Sequence, residues 1–100
     1  MNPLIGSEQA GYRPVVIVSG NLLNKYLNIV IACPLTTKIK NYKGNPVVNP
    51  NPENGLEKIS EILIFHIRSI SKERLVKKIG SITDDELETL KKGLNEIFKY

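Results

Sequence analysis

Apolar residues fall in short, β-branched runs through most of the chain and switch to a helical rhythm only near its end. The runs "RPVVIVSG" (13–20) and "NIVIACPLTT" (28–37) are too short and too rich in valine and isoleucine for helices, and both read as strands. Pro14 restricts the first of them to a strand start or an edge. "VV" after the loop 38–46 opens a further strand, and "VKKIGSI" (76–82) reads as another. "SEILIFHIRSI" (60–70) reads as one long central strand, with Ile62, Ile64, His66 and Arg68 on one face and Leu63, Phe65 and Ile67 on the other. Between the runs, "NLLNKYL" (21–27) suits one or two helical turns capped by Asn21, and "SKERL" (71–75) a single turn. "NPNPENG" (49–55) has the breaker chemistry of a surface loop.

The closing segment has a different period. Thr83 followed three residues later by Glu86 predicts a capping box, and Asp84 and Asp85 suit the positive end of the helix that follows. Leu87, Leu90, Leu94, Ile97 and Phe98 then recur at helical spacing and predict one apolar face docked on the rest. The combination predicts a single α+β domain over residues 1–100, mainly β: a small curled sheet or barrel with short helices and a C-terminal amphipathic helix.

Charge sharpens this picture more than composition does. The net charge is +4 and unevenly spread. The first 50 residues carry five bases against Glu8 alone, whereas the segment from Thr83 onward is net acidic. Such a distribution favours a polyanion or an acidic protein as partner. No stretch approaches the apolar length of a membrane span, and the N-terminus lacks a signal pattern. The lone Cys33 lies inside an apolar run, which predicts a buried, reduced thiol and a cytoplasmic protein.

Several chemistries lack their motifs. CxxC, HExxH and histidine clusters are missing, so neither a metal nor any other cofactor is expected. Phosphate-cradling glycine loops and a nucleophile elbow are missing as well. Arginine, hydroxyl, carboxylate and one histidine remain, and these suit cleavage of RNA by its own 2′-OH. That substrate supplies the nucleophile, and the protein has to stabilise phosphoryl charge and move protons. A guanidinium matches phosphate oxygens and stays charged, which suits an arginine to stabilise the phosphorane rather than to act as a base. In "KIKNYKGNP" (38–46), Lys38, Lys40, Tyr42 and Lys43 interleave bases with an aromatic, either as single-strand binders do or as a solvated mobile loop.

The fragments "GSEQAGYRPVVIVS", "PLTT", "NGLEKIS" and "HIRSI" with "KERL", followed by the amphipathic helix, resemble in order the MazF/PemK (Kid) family of toxin–antitoxin ribonucleases. The resemblance implies an SH3-like β-barrel and a homodimer. It implies metal-independent cleavage of single-stranded RNA at short motifs, leaving a 2′,3′-cyclic phosphate and a 5′-OH, and inhibition by a cognate antitoxin with an acidic tail. The family's catalytic arginine falls on Arg13 and its catalytic threonine on Thr36, with Thr37 as the rival of the pair. Ser7 and Glu8 fall where similar enzymes contact RNA and assist proton handling, and Gln9 joins the RNA-contacting set. Glu8 either handles protons or orients Arg13. His66 stands where the family commonly has glutamine, either as a half-buried structural histidine or as an RNA contact. Arg68 beside it is either a phosphate contact or a structural ion pair.

One departure concerns the start: the strand that usually precedes the family's motif is missing before "MNP", which predicts an unpaired neighbouring edge. Two other functions fit parts of the same pattern. One is a catalytically degenerate module that binds RNA or antitoxin. The other is a CcdB-type DNA-gyrase inhibitor, which the chain's lack of tryptophan disfavours.

Overall fold

The computed structural model describes residues 2–8 and 13–98. Among them, strands β1 (Leu4–Glu8), β2 (Arg13–Ile17), β3 (Ile29–Thr36), β4 (Val47–Val48), β5 (Ser60–Ile62), β6 (Arg68–Ser71) and β7 (Leu75–Ser81) form one antiparallel, curled sheet. Two helices complete the set, α1 (Asn21–Tyr26) between β2 and β3 and α2 (Asp84–Ile97) at the end. The strand order is β4-β5-β3-β2-β1-β7, with β6 also joined to β3. This is the mainly-β fold with a C-terminal helix that the pattern predicts.

Gly6, Ser7 and Glu8 of the quoted motif lie in β1. Three local expectations change. β1 is bonded on both edges, to β2 and to β7, so the predicted open edge beside the motif is closed. Asn21 lies inside α1 rather than capping it, and the Gly20 carbonyl accepts the N–H of Asn24.

The third change is the segment 60–70, which is not one strand. Its two ends pair with the same edge of β3: Leu35 with Ile62, and Ala32 with Arg68. From Leu35 back to Ala32, β3 steps three residues, while from Ile62 to Arg68 its partner steps six. The surplus is extruded as a 3-10 turn over Ile64–His66, and the alternation fails there. Ile62 and Ile64 are buried, whereas Phe65 and His66 are exposed. Pro34 lies opposite the break. It has no N–H to offer, and its carbonyl accepts the Leu63 N–H at 2.8 Å.

The curled sheet buries residues on both faces, as the adjacent and fully buried Val15 and Val16 show. One cluster joins Ile5, Val16, Cys33, Ile62, Ile64 and Leu90, and the other gathers Val15, Val30, Ala32 and Ile70. Burial pushes the Cys33 thiol up to about 11, consistent with an inert core residue. α2 begins as predicted: the Thr83 hydroxyl accepts the Glu86 N–H, and the Glu86 carboxylate accepts the Thr83 N–H. Leu87, Leu90, Leu94 and Ile97 face the first cluster. Phe98 does not join them, since it stands at the C-cap beyond the last core contact and is 65% exposed.

Gly93 lets α2 come close. A Cβ there would lie 2.5 Å from the Ile64 Cδ1 and 2.6 Å from the Gly44 carbonyl oxygen. Alanine is the better helix former by about 1 kcal/mol, yet this contact includes backbone that cannot step aside. Gly93→Ala is therefore expected to destabilise the fold by on the order of 1–3 kcal/mol in urea denaturation. An unchanged or higher midpoint would show that α2 and the 38–46 loop separate freely.

Candidate functional site

Where β3 ends, β2 begins and the 3-10 turn protrudes, the surface sinks into a groove of about 550 Å³. Arg13, Thr36, Thr37, Lys38, His66 and Arg68 line it. Each arrives from the end of an element. Arg13 opens β2, and Pro14 fixes where that strand starts. Thr36 closes β3, and its hydroxyl oxygen accepts the Lys38 N–H at 3.1 Å. That turn leaves the hydroxyl's own hydrogen available to a ligand. His66 ends the extruded turn and Arg68 opens β6, both exposed to solvent. Of the two readings of His66, its exposure does not fit the half-buried structural one.

The lining carries three permanent cations, Arg13, Lys38 and Arg68, and no carboxylate among the described residues. An anion entering it meets guanidinium forks and a hydroxyl. A second hollow of similar size shares Pro14, Thr37 and Ser60 with the first and adds Ser7, Lys58, Lys77 and Lys78. Ser7 therefore sits in the neighbouring hollow rather than in the groove, and it is buried. Lys43 lines a separate hollow against α2 with Phe65 and Lys92, while Lys40 and Tyr42 are exposed on the loop outside the groove. Gln9 lies outside the described residues.

Two acids are buried next to this surface. Glu8 is 2% exposed and directly opposite Arg13 in the β1–β2 register, yet of its two readings, handling protons or orienting Arg13, the second finds no ion pair to Arg13. The carboxylate turns instead to Arg68 at 2.5 Å, with Arg74 at 3.8 Å. Its seat lies between β2 and β7, and Arg74 immediately precedes β7, so both guanidiniums reach it while keeping about half their surface in water. Arg68 thus lines the groove with its back held by an acid.

The other acid, Glu61, was not singled out by the sequence pattern. It is fully buried in β5, where one oxygen accepts the N–H groups of Lys40 and Asn41 at 2.7 and 2.9 Å. The other accepts the Tyr42 N–H at 3.1 Å and an Asn45 side-chain N–H at 2.8 Å. Burial alone raises its pKa, but the Asn45 amide and the three backbone donors outweigh that and hold it below the ordinary carboxylate value. The available signal was an acid set in the otherwise apolar run "SEILI".

Comparison with known proteins gives a consistent outcome. Residues 1–98 match the family described as PemK-like, MazF-like toxin of type II toxin–antitoxin system. The chain is 32% identical over 95 residues to the endoribonuclease EndoA of Bacillus subtilis, covering 94% of this chain and 82% of that one. Among solved structures it is similar to the Mycobacterium tuberculosis toxin MazF-mt6, with a TM-score of 0.84, 23% identity and 95% of each chain covered. The MazE–MazF structure from Deinococcus radiodurans superposes with a TM-score of 0.79 at 21% identity, covering 95% of this chain and 91% of that one.

The bracing of Arg68 has a measurable asymmetry. Arg68→Ala strips a buried carboxylate of its close partner and is expected to cost roughly 1–3 kcal/mol in urea denaturation. Arg74→Ala removes a distant, half-exposed one and is expected to cost less than about 1 kcal/mol. Equal losses would show that Arg68 is not the main partner of Glu8.

Proposed function

The chain belongs to the PemK-like, MazF-like toxin family of type II toxin–antitoxin systems, and on that premise we propose that it is a metal-independent endoribonuclease toxin that cuts single-stranded RNA at short sequence motifs. The observation that carries the proposal is the convergence of Arg13, Thr36 and His66 in one cationic groove. The similarity to the endoribonuclease EndoA supports the reaction class.

In the proposed reaction the 2′-oxygen attacks the adjacent phosphorus, and the bond from phosphorus to the 5′-oxygen breaks. A 2′,3′-cyclic phosphate and a 5′-OH result. One proton leaves the 2′-OH and another reaches the departing 5′-oxygen. Arg13 meets the charge that builds on the phosphoryl oxygens, and the Thr36 hydroxyl donates to the same phosphate or to the 2′-OH, with Thr37 beside it. His66 is exposed in the groove, and its imidazole, with one nitrogen that accepts and one that donates, is suited to carry a proton. Glu8 acts through Arg68, which it holds in place, and Lys38 grips the strand. Ser7, Gln9, Lys40, Tyr42 and Lys43 belong to the proposed surface for the flanking strand.

The proposed partners are single-stranded RNA, a second copy of the chain and an antitoxin with an acidic segment, which the groove's cations would attract as they attract phosphate. The complexes among the structural neighbours, MazE–MazF from Deinococcus radiodurans and a mycobacterial endoribonuclease with its cognate antitoxin, support the last of these. The proposed location is the cytoplasm. No helix among the described residues is long and apolar enough to cross a membrane.

The test is cleavage of a long mixed-sequence RNA in EDTA. Arg13→Ala is expected to slow cutting by roughly 10²–10³-fold while the circular dichroism spectrum stays native. A 2′-deoxy nucleotide at the cut site is expected to block cutting there, because it deletes the nucleophile. Full activity of Arg13→Ala would remove Arg13 from the mechanism, and wild-type protein that binds RNA without cutting it would show a catalytically silent binding module.

A further inference from the structure

Burying a carboxylate in a strand is costly unless every lone pair finds a donor, and Glu61 finds four. Three of them are consecutive backbone N–H groups, from Lys40, Asn41 and Tyr42. They converge because Asn41 adopts a left-handed conformation, φ 55°, which curls the chain so that successive N–H groups point inward. A concavity of this kind binds anions in many proteins. Here the anion is part of the chain.

The fourth donor extends the anchor. The Asn45 amide nitrogen donates to Glu61, while the Asn45 side-chain oxygen accepts the N–H of Ile64, the first residue of the 3-10 turn that ends at His66. In the β3–β5 register Glu61 stands opposite Thr36, whose hydroxyl in turn receives the Lys38 N–H. One buried carboxylate is therefore joined, by two or fewer intermediaries, to the segment carrying Lys38 and to the turn carrying His66. These are two walls of the groove, and neither is part of the regular sheet.

We propose that Glu61 is a positioning residue for RNA, an internal anion that fills the nest of residues 40–42 and, through Asn45, sets the spacing between the basic loop and the His66 turn. This rests on the ribonuclease proposal above. Its role is distinct from attraction by charge. Removing a negative group from a basic surface favours a polyanion, so a pure charge effect predicts tighter RNA binding. Loss of positioning predicts the opposite.

The experiment compares wild type with Glu61→Gln, which keeps the shape but places an N–H donor against backbone donors. Two RNA measurements are made: KM and kcat for cutting a long mixed-sequence RNA, and Kd for a mixed-sequence 2′-O-methyl RNA that cannot be cut. Amide hydrogen exchange of Lys40, Asn41 and Tyr42 reads the anchor directly. The expected result is faster exchange at those amides, with KM and Kd raised roughly tenfold and kcat lowered as well, because the turn that Asn45 holds carries His66. Val30→Ala, in the second core cluster, none of whose members lines the groove, is expected to lower stability and leave Kd as in wild type. Faster exchange with unchanged or tighter RNA binding would overturn the proposal, as would unchanged exchange. If Glu61→Gln fails to fold, Asn45→Ala decides, with an expected weakening of about threefold; unchanged binding overturns the proposal. A wild type that neither cuts nor binds RNA overturns the ribonuclease proposal and this one together, whereas a wild type that cuts and a Glu61→Gln that matches it overturns this one alone.

Discussion

The ladder along β3 constrains everything else in the molecule. One edge of this strand belongs to β2, and the other is divided between β5 and β6. Division requires the partner segment to leave the ladder and return, and the proline at position 34 removes a donor where the return is made. The residues released, Ile64 to His66, cannot extend the sheet, so they stand off it. Ile64 drops into the core, and Phe65 and His66 are left outside. The same strand ends two residues after Pro34 at Thr36. A hydroxyl at a strand end, a histidine on an extruded turn and an arginine at the start of the neighbouring strand thereby come to share one groove. The proximity follows from strand pairing and was not separately arranged.

Two buried acids border that groove, and they meet the same desolvation problem with different partners. Glu8 uses guanidiniums that remain half in water, so the pair is a brace with one end exposed. Glu61 uses backbone and amide donors that carry no charge, so its negative charge is spread over a loop. The difference matters for what each holds. An arginine held by Glu8 keeps its outward face for a ligand. A loop held by Glu61 keeps all its side chains, because only main-chain N–H groups and Asn45 are used. Neither acid lines the groove itself, which leaves the lining free of negative charge among the described residues.

Much of the architecture was legible because the relevant signals are local. The period-2 and period-3.6 patterns, Thr83 with Glu86, and the breakers at 49–55 each act over a few residues and appear in the structure where expected. The misreadings were at positions that longer-range pairing decides. Alternation from Ile62 to Arg68 is visible in the sequence, but the count of three against six across β3 is not, since it depends on which residues pair. Likewise Glu8 and Arg13 are close in the chain and even in register, yet Arg68, sixty residues away, takes the carboxylate. Sequence proximity favours a pair only when no better-placed partner is folded in from elsewhere. The grouping of Arg13, Thr36, His66 and Arg68 came from resemblance and residue chemistry. Glu61 escaped because an acid in a strand usually marks a solvent face, and nothing local announces that a loop twenty residues back will turn its N–H groups onto it.

The arrangement separates what attracts a polyanion from what discriminates between strands. On the proposed ribonuclease role, Arg13, Lys38 and Arg68 act on charge that every phosphodiester shares, and electrostatic attraction of that kind carries no base information. Discrimination has to come from groups that touch bases, and those are available on the parts of the groove outside the regular sheet: the loop after Thr36 and the turn before Arg68. Both hang from the Glu61–Asn45 network. On the proposed ribonuclease role, loop composition and length can change base preference while the sheet keeps Arg13 and Thr36 in place. The reverse does not hold. Any change in the β3 register moves Thr36 and the His66 turn together, so the ladder sets the position of both.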